Sequence, residues 1–432
     1  MTNINRHIGL LAITAIVMTS CGIYGKYHSQ VTEEDQAIAI PSYKDVFQDP
    51  YLIALIDTAL NNNLDLKVAH EHVYQAEHAL KAAKLAYLPS INAGGTPVTT
   101  FVSPGNTFTN FTFASASWEI DVFGRLTNQK RMANASHQQA LDLEQAARTQ
   151  LIAAVAETYY TLLMMDEQII VADSAVANLL RSVNTMREMK KAGMTDEAAV
   201  AHFEGSYFNT RAQVENIRLN RQITENAMRL LLASNNAPIQ RGKILSSNVQ
   251  SIDSVNLRAL TVRPDVRAAE HQLERAFYNA NYARANCCPS ISIGGAIGWA
   301  SGGLLFNAIG NLLQPIFNGG KLIAQVKIAK SQQQEMQWNY TNALLKAGNE
   351  VNNALLSRTS YQVQTDDLTA RVESMTRALD ATQTKMRYGK GTYLEVLTAQ
   401  NDKLAAELEL ISNYRNILQS NVDLYHAIGG GK

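Results

Sequence analysis

Cysteine is nearly missing from this chain: three residues in 432, two of them adjacent (Cys287-Cys288) and the third, Cys21, just behind an apolar N-terminal stretch. That distribution excludes a disulfide framework and the paired spacing of a zinc site. Proline is scarce too, with 9 residues, and because proline breaks helices its rarity favours long ones. Neither sign of charge prevails. The 38 basic and 38 acidic residues cancel, so no net field draws the chain to nucleic acid or to acidic lipid. Beyond the N-terminus no apolar run approaches the ~20 residues of a spanning helix. If this chain crosses a membrane, strands must do it.

What is present is a duplication. Leu64-Asp65-Leu66-Lys67-Val68-Ala69 returns as Pro264-Asp265-Val266-Arg267-Ala268-Ala269, Pro89-Ser90-Ile91 as Pro289-Ser290-Ile291, and Gly94-Gly95 as Gly294-Gly295, all at an offset of 200. Past position 120 the offset is 196: Gly124 matches Gly320, Gln129 matches Gln325, and Gly193 matches Gly389. Two constant offsets separated by one four-residue change describe a repeated unit with one shortened loop, and a period this long marks whole structural halves rather than a solenoid. Each half reads as helix, two strands, very long helix, turn, long helix.

Residues 1–20 resemble a secretory signal: Arg6 gives a positive start, Ile8 to Val17 an apolar stretch, and Thr19-Ser20 small residues before Cys21. A cysteine at that point resembles a lipoprotein cleavage site, with Cys21 the lipid-bearing N-terminus; an ordinary signal with an incidental cysteine is the other reading. Gly22, not aspartate, follows, which favours outer-membrane sorting. Residues 21–49 read as a lipid-anchored arm. The first repeat spans 50–233, with a short helix from Pro50 and a longer one that must stop before Pro89. A β-hairpin is expected at 91–118, broken at Ser103-Pro104-Gly105-Asn106, where apolar and polar residues alternate. Residues 234–256, rich in serine and asparagine, read as an irregular equatorial connection. The second repeat spans 257–428, with its hairpin at 291–317.

From Arg125 to about Lys191, and again from Lys321 to Tyr388, little interrupts helix. Some 65 residues extend about 100 Å, more than an ordinary globular domain buries. Ile152, Val155, Tyr159 and Leu162 form a 3-4-3 seam that Ile169, Val176, Leu180 and Val183 continue. Both long helices end at glycine turns, Gly193 and Gly389 with Gly391, after which Thr195 or Thr392 can cap a returning helix. The fold class is thus mainly α with a small β part: long antiparallel coiled coils joined to strands. Four strands cannot close a membrane barrel, because open edges leave unpaired backbone groups in hydrocarbon. Oligomerisation is required, and three copies giving twelve strands is the simplest ring.

At this point the residues resemble a family. Ser117-Trp118-Glu119-Ile120-Asp121-Val122-Phe123-Gly124-Arg125 is similar to the strand-to-helix signature of the TolC-like outer membrane factors. Gln314-Pro315-Ile316-Phe317-Asn318-Gly319-Gly320 resembles their second junction, and Gly389-Lys390-Gly391-Thr392-Tyr393-Leu394-Glu395-Val396-Leu397 their periplasmic tip turn. The resemblance implies a homotrimer with a twelve-stranded barrel, docked at its tips with a periplasmic adaptor and an inner-membrane transporter, in contact with outer-membrane lipid, without nucleic acid, cofactor, metal or enzymatic activity. It also implies that Gly193, Gly389, Gly391 and Thr392 form the docking turns and that Glu395 contributes an acidic ring at the constriction. Thr398 occupies the place of a second acid in some relatives. A solvated coiled-coil charge is the plainer reading of Glu395.

Other candidates stay open. Trp118 and Phe123 fit an aromatic belt or simple packing at the bend. His70, His72 and His78 share a helix at spacings that do not converge on a metal. Cys287-Cys288 is either a strained redox pair or two small residues at a helix end. Gly319-Gly320-Lys321 lacks the spacing of a phosphate loop. A duct for type I protein secretion shares the expected fold, and a periplasmic adaptor also uses long hairpins, but one rather than two.

Overall fold

The computed structural model describes residues 25–29, 41–102, 105–235, 238–244, 257–300 and 303–430. Cys21 and the expected signal lie outside them. The duplication is exact in its three longer helices, but the short helix Pro50–Asn62 ahead of them is answered in the second copy only by a 3-10 turn, Leu257–Val262. α1 (Tyr43–Val46) and α2 (Pro50–Asn62) precede the first copy: α3 (Leu64–Leu85), β1 (Ser90–Val102), β2 (Gly105–Ile120), α4 (Arg125–Lys191) and α5 (Glu197–Leu231). The second copy is α6 (Pro264–Ala285), β3 (Ser290–Ala300), β4 (Gly303–Leu313), α7 (Lys321–Arg387) and α8 (Tyr393–Ala427). α4 and α7 both have 67 residues, and α5 and α8 both have 35. The hairpins take up the difference, with strands of 13 and 16 residues against 11 and 11. The second hairpin stops at Leu313 rather than 317, because Pro315 follows and cannot donate to a ladder.

Two compact units divide the chain. The first holds the sheet with Ala69–Glu144, Pro264–Leu344 and residues 25–29 of the arm. Its strands are antiparallel in the order β1-β2-β3-β4. Register sorts the side chains into one apolar and one mixed face. Ile91, Trp118, Ile293, Ile297, Trp299 and Phe306 share the first, whereas Ser90, Asn92, Ser117, Glu119, Ser292 and Asn307 share the second with Phe113, Ile309 and Leu313. Polar groups on the second face bond to one another: Ser90 Oγ lies 2.8 Å from Ser117 Oγ, and Ala296 N donates to Asn307 Oδ1 at 3.0 Å. The helices follow the strand order. His70 of α3 meets Glu144 of α4 at 3.0 Å, Arg267 of α6 meets Asp142 of α4 at 3.3 Å, and Ala280, Ala283 and Ala329 join α6 to α7. α6 buries alanines along its length because it has a neighbour on each side, while α3 buries only Val73, Leu80 and Ala83.

The second unit holds Gln145–Arg263, Leu345–Lys432 and Glu33–Val68, as far as these are described. Its core gathers Phe47, Leu52, Ile56, Tyr159, Tyr160, Leu163 and Tyr425. The seam expected along α4 holds at Ile152, Val155, Tyr159 and Leu162, all buried, and then drifts. Val183 is buried as expected, but Leu180 is exposed, and Ala172, Leu179 and Met186 are buried beside the seam. The connecting segment is anchored here rather than loose. Tyr159 OH donates to Asp49 at 2.5 Å and accepts from Gly242 N at 3.2 Å, and burial raises its phenol well above the usual range. Arg241, beside it, is clasped by Asp166 and by Glu225 at 2.7 Å.

Candidate functional site: strand-to-helix junctions and tip turns

At the first junction the chain must leave a strand and enter a helix within four residues. Gly124 makes the corner with φ +71°, a conformation that disfavours any side chain. Asp121 then caps α4 from a distance, accepting from Leu126 N at 3.0 Å, Thr127 N at 2.7 Å and Thr127 Oγ1 at 2.6 Å. These satisfy amides that the first helical turn leaves orphaned. Glu119 pairs with Arg125, whose Nε donates at 2.7 Å, and this bond to Glu119 raises the guanidinium pKa. Trp118 is partly exposed on the apolar face and donates its indole N–H to Tyr87 O at 2.9 Å, an amphipathic placement suited to a bilayer boundary. Phe123 is half-buried, in keeping with packing at the bend. Glu119 and Asp121, named before only as letters of the signature, hold the junction. The signal that could have found Asp121 is an acid just ahead of an Arg-Leu-Thr helix start.

The second junction is built differently. Gly319 and Gly320 are consecutive left-handed residues, with φ +52° and +76°. Ile316 and Phe317 stand out from the chain, 93% and 89% exposed. Cys287 and Cys288 lie nearby, each thiol directed at the carbonyl four residues back.

Both tip turns close in the same way. Met194 N bonds Met189 O at 2.8 Å and Gly193 N bonds Lys190 O at 2.9 Å, and Lys390 and Gly389 repeat this on Lys385 and Met386 at 2.9 and 3.0 Å. These are Schellman closures, with the glycines at φ +72° and +66°. Gly391 serves otherwise. A Cβ there would meet Lys385 Cβ at 3.0 Å and Met386 N at 3.1 Å, so close approach demands glycine. The returning helices begin at aligned caps, Asp196 and Thr392, so Asp196, not Thr195, caps α5. Thr392 and Glu395 form a capping box: Glu395 N donates to Thr392 Oγ1 at 3.3 Å, and Thr392 N to the Glu395 carboxylate at 3.4 Å. Glu395 is thus an exposed acid with a local structural partner, and Thr398 is exposed one turn on. Arg187–Glu204 at 2.6 Å and Lys190–Glu197 lace the first turn, and His202 stacks on Tyr393 at 6.4 Å between α5 and α8.

The histidines of α3 do not converge: His70 pairs with Glu144 and His78 sits edge-on to Tyr74 at 4.3 Å. Nothing in these arrangements resembles a reaction centre; they are turns, caps and a two-faced sheet.

Comparison with known proteins agrees. The family model described as "Outer membrane efflux protein" matches residues 55–234 and 257–430. The chain is 30% identical over 408 residues to the cation efflux system protein CusC of Escherichia coli K12, covering 90% of this chain and 88% of that one. It is 27% identical over 429 residues to the probable outer membrane lipoprotein SilC of Salmonella typhimurium, covering 91% and 90%. A crystal structure of CusC superposes with a TM-score of 0.85 at 26% identity, over 94% of this chain and 99% of that one. The chain belongs to the outer membrane efflux proteins, exit ducts of the outer membrane with the TolC-like fold.

Proposed function

We propose that three copies of this chain form the exit duct of a tripartite pump, receiving substrates from an inner-membrane transporter through a periplasmic adaptor. The observation that carries this reading is the sheet. Four strands end in two unpaired edges, β1 and β4, with one apolar face and one that carries the sheet's serines, asparagines and Glu119. Edges of this kind are untenable in hydrocarbon unless paired, and β4 of one copy on β1 of the next removes them all. The apolar face then meets lipid and the serine- and asparagine-bearing face lines water. Relatives named for efflux favour a pump over type I secretion, and a periplasmic adaptor does not fit the family. Imaging detergent-extracted particles tests the assembly: threefold cylinders are expected, and monomeric or asymmetric particles would sink it.

The arm supports lipid attachment. Gly25 O accepts from Arg131 Nη1 at 3.3 Å, Tyr27 N donates to Tyr278 OH at 3.3 Å, and Ser29 Oγ donates to Glu270 at 2.7 Å. Arg131 lies about 9 Å along α4 from its start at the sheet. Cys21, four residues before Gly25, reaches at most ~14 Å from it, far enough to come level with the foot of the sheet. Cys21→Ser is expected to abolish incorporation of labelled fatty acid, and undiminished labelling would remove the anchor from this account.

At the other end, Gly193, Gly389, Gly391 and Thr392 shape the turns on which an adaptor would dock, and three copies of Glu395 would gather at the mouth, with Thr398 behind. Glu395→Gln keeps an acceptor for the capping box but removes the charge. Block of single channels by divalent cations should weaken while trimers persist; identical block in both proteins would leave Glu395 only its capping role.

A further inference from the structure

Charge is balanced over the whole chain but not at the foot of the sheet. The ten residues nearest the sheet in each of α3, α4, α6 and α7 hold nine Lys or Arg and a single acid, Glu77, and the first junction adds Glu119, which pairs with Arg125, and Asp121. Helix geometry places most of these cations on one side. A groove of about 810 Å³ crosses all four helices, lined by Ala79 and Ala82 of α3, Met132 of α4, Gln272 of α6 and Gln332 of α7, among others. At ~100° per residue, Lys81, Lys84, Arg131, Lys327 and Lys330 lie on the side of their helices away from that groove. Lys81, Lys84, Lys327 and Lys330 are exposed, and no ion pair engages them among the described residues. The arm brings Lys26, also exposed, to the same level through Gly25 and Arg131.

We infer that this collar binds the phosphate headgroups of anionic phospholipids in the leaflet into which the Cys21 lipid inserts. Two independent features place a headgroup layer there. The apolar face of the sheet ends just above, at Ile91, Trp118 and Ile293, with the Trp118 N–H bonded to backbone. The docked arm limits the distance to the lipidated residue from the same side. Ammonium groups on long stems fit this task, because they extend toward phosphates while their carbons stay against the helix. A net charge of zero therefore does not exclude attraction to acidic lipid; the attraction is local.

The inference rests on the proposed insertion of the sheet and lipidation of Cys21, and the experiment separates it from the membrane reading. Full-length acylated protein is reconstituted in phosphatidylcholine vesicles carrying spin-labelled phosphatidylglycerol or spin-labelled phosphatidylcholine, and the immobilised fraction of each probe is measured. Each lysine held against phosphates is worth roughly fivefold in association; averaged over the lipid shell, a preference of about three- to tenfold for phosphatidylglycerol is expected. The Lys81→Gln/Lys84→Gln/Lys327→Gln/Lys330→Gln variant should bring the ratio close to one, and high salt should do the same to the unmodified protein. Replacing Lys190, Lys191, Lys385 and Lys390 at the tips should leave the preference intact, and free inorganic phosphate should not compete. An inserted protein that immobilises both probes equally, or a collar variant that keeps its preference, overturns the collar. No immobilised lipid at all overturns the membrane reading itself.

Discussion

Ile297→Lys is expected to abolish the assembled barrel, whereas Ala296→Lys, one residue earlier, is expected to leave it standing. Ile297 pairs across the ladders with Phe306 and Ala114 on the apolar face, and Ala296 pairs with Asn307 and Ser115 on the polar one. Side chains alternate strictly along a strand, so the two lysines enter opposite media. A lysine on the lipid face near the middle of a barrel strand costs about 2–4 kcal/mol. A trimer incurs that cost three times over, so the total is comparable to the whole stability of an ordinary domain. A lysine on the polar face stays in water. Heat-resistant trimers recovered from outer-membrane fractions measure the difference. Equal recovery of both variants would mean that the assignment of faces is reversed or that the sheet does not enter lipid.

The second large effect is expected at Arg241→Met. Arg241 is nearly buried in the second unit, held by Asp166 of α4 and Glu225 of α5, with Arg221 sharing both acids. Burial opposes its charge, and the bonds to Asp166 and Glu225 more than restore it, so that its pKa is raised. Removing Arg241 takes away the most buried counter-charge of Asp166 and Glu225 and leaves Arg221 and Arg229 to hold them, at a cost toward the lower end of about 3–5 kcal/mol. The loss should appear as a lower urea midpoint for the detergent-solubilised protein and as faster proteolysis of residues 238–244, which Arg241 and Tyr159 tie down. Arg241→Met combined with Glu225→Gln should recover part of the loss, since the orphaned charge goes with it. A single variant as stable as the parent would show that hydration already satisfies these acids.

Much of this architecture is legible in the residues because duplication supplies its own check. Offsets of 200 and 196, read from a few matching letters, reproduce the starts of α3 and α6, of β1 and β3, and of α4 and α7. Proline at 89 and 289 and glycine at 193 and 389 punctuate both copies, so an error in one would have shown against the other. What escaped is whatever depends on contacts between elements. Between Leu162 and Leu179 the buried position passes through Ala172, whose small side chain carries no hydrophobic signal, so the turn of the seam from Leu180 to Leu179 could not be seen. Asp196 and Thr195 are both good caps, and only backbone geometry chooses between them. Glu119 and Asp121 look like ordinary polar residues until the strand bends and places them over the first turn of α4. Arg241 sits in a serine-rich stretch that reads as loose linker, and its acids are 75 and 16 residues away.

Equal helix lengths in the two copies carry an evolutionary consequence. Each tip turn lies 67 helical residues from its junction, so a single inserted turn in α4 alone would leave one tip about 5 Å ahead of the other. An adaptor docked as proposed on three copies would face a staircase. Length at the tips can change only by coordinated steps in four helices of every copy, which are rare events. The strands face no such tally, since an extra pair of residues only raises a loop into the medium outside. Drift should therefore accumulate at the outer end, where the two hairpins already differ, and the inner end should keep count.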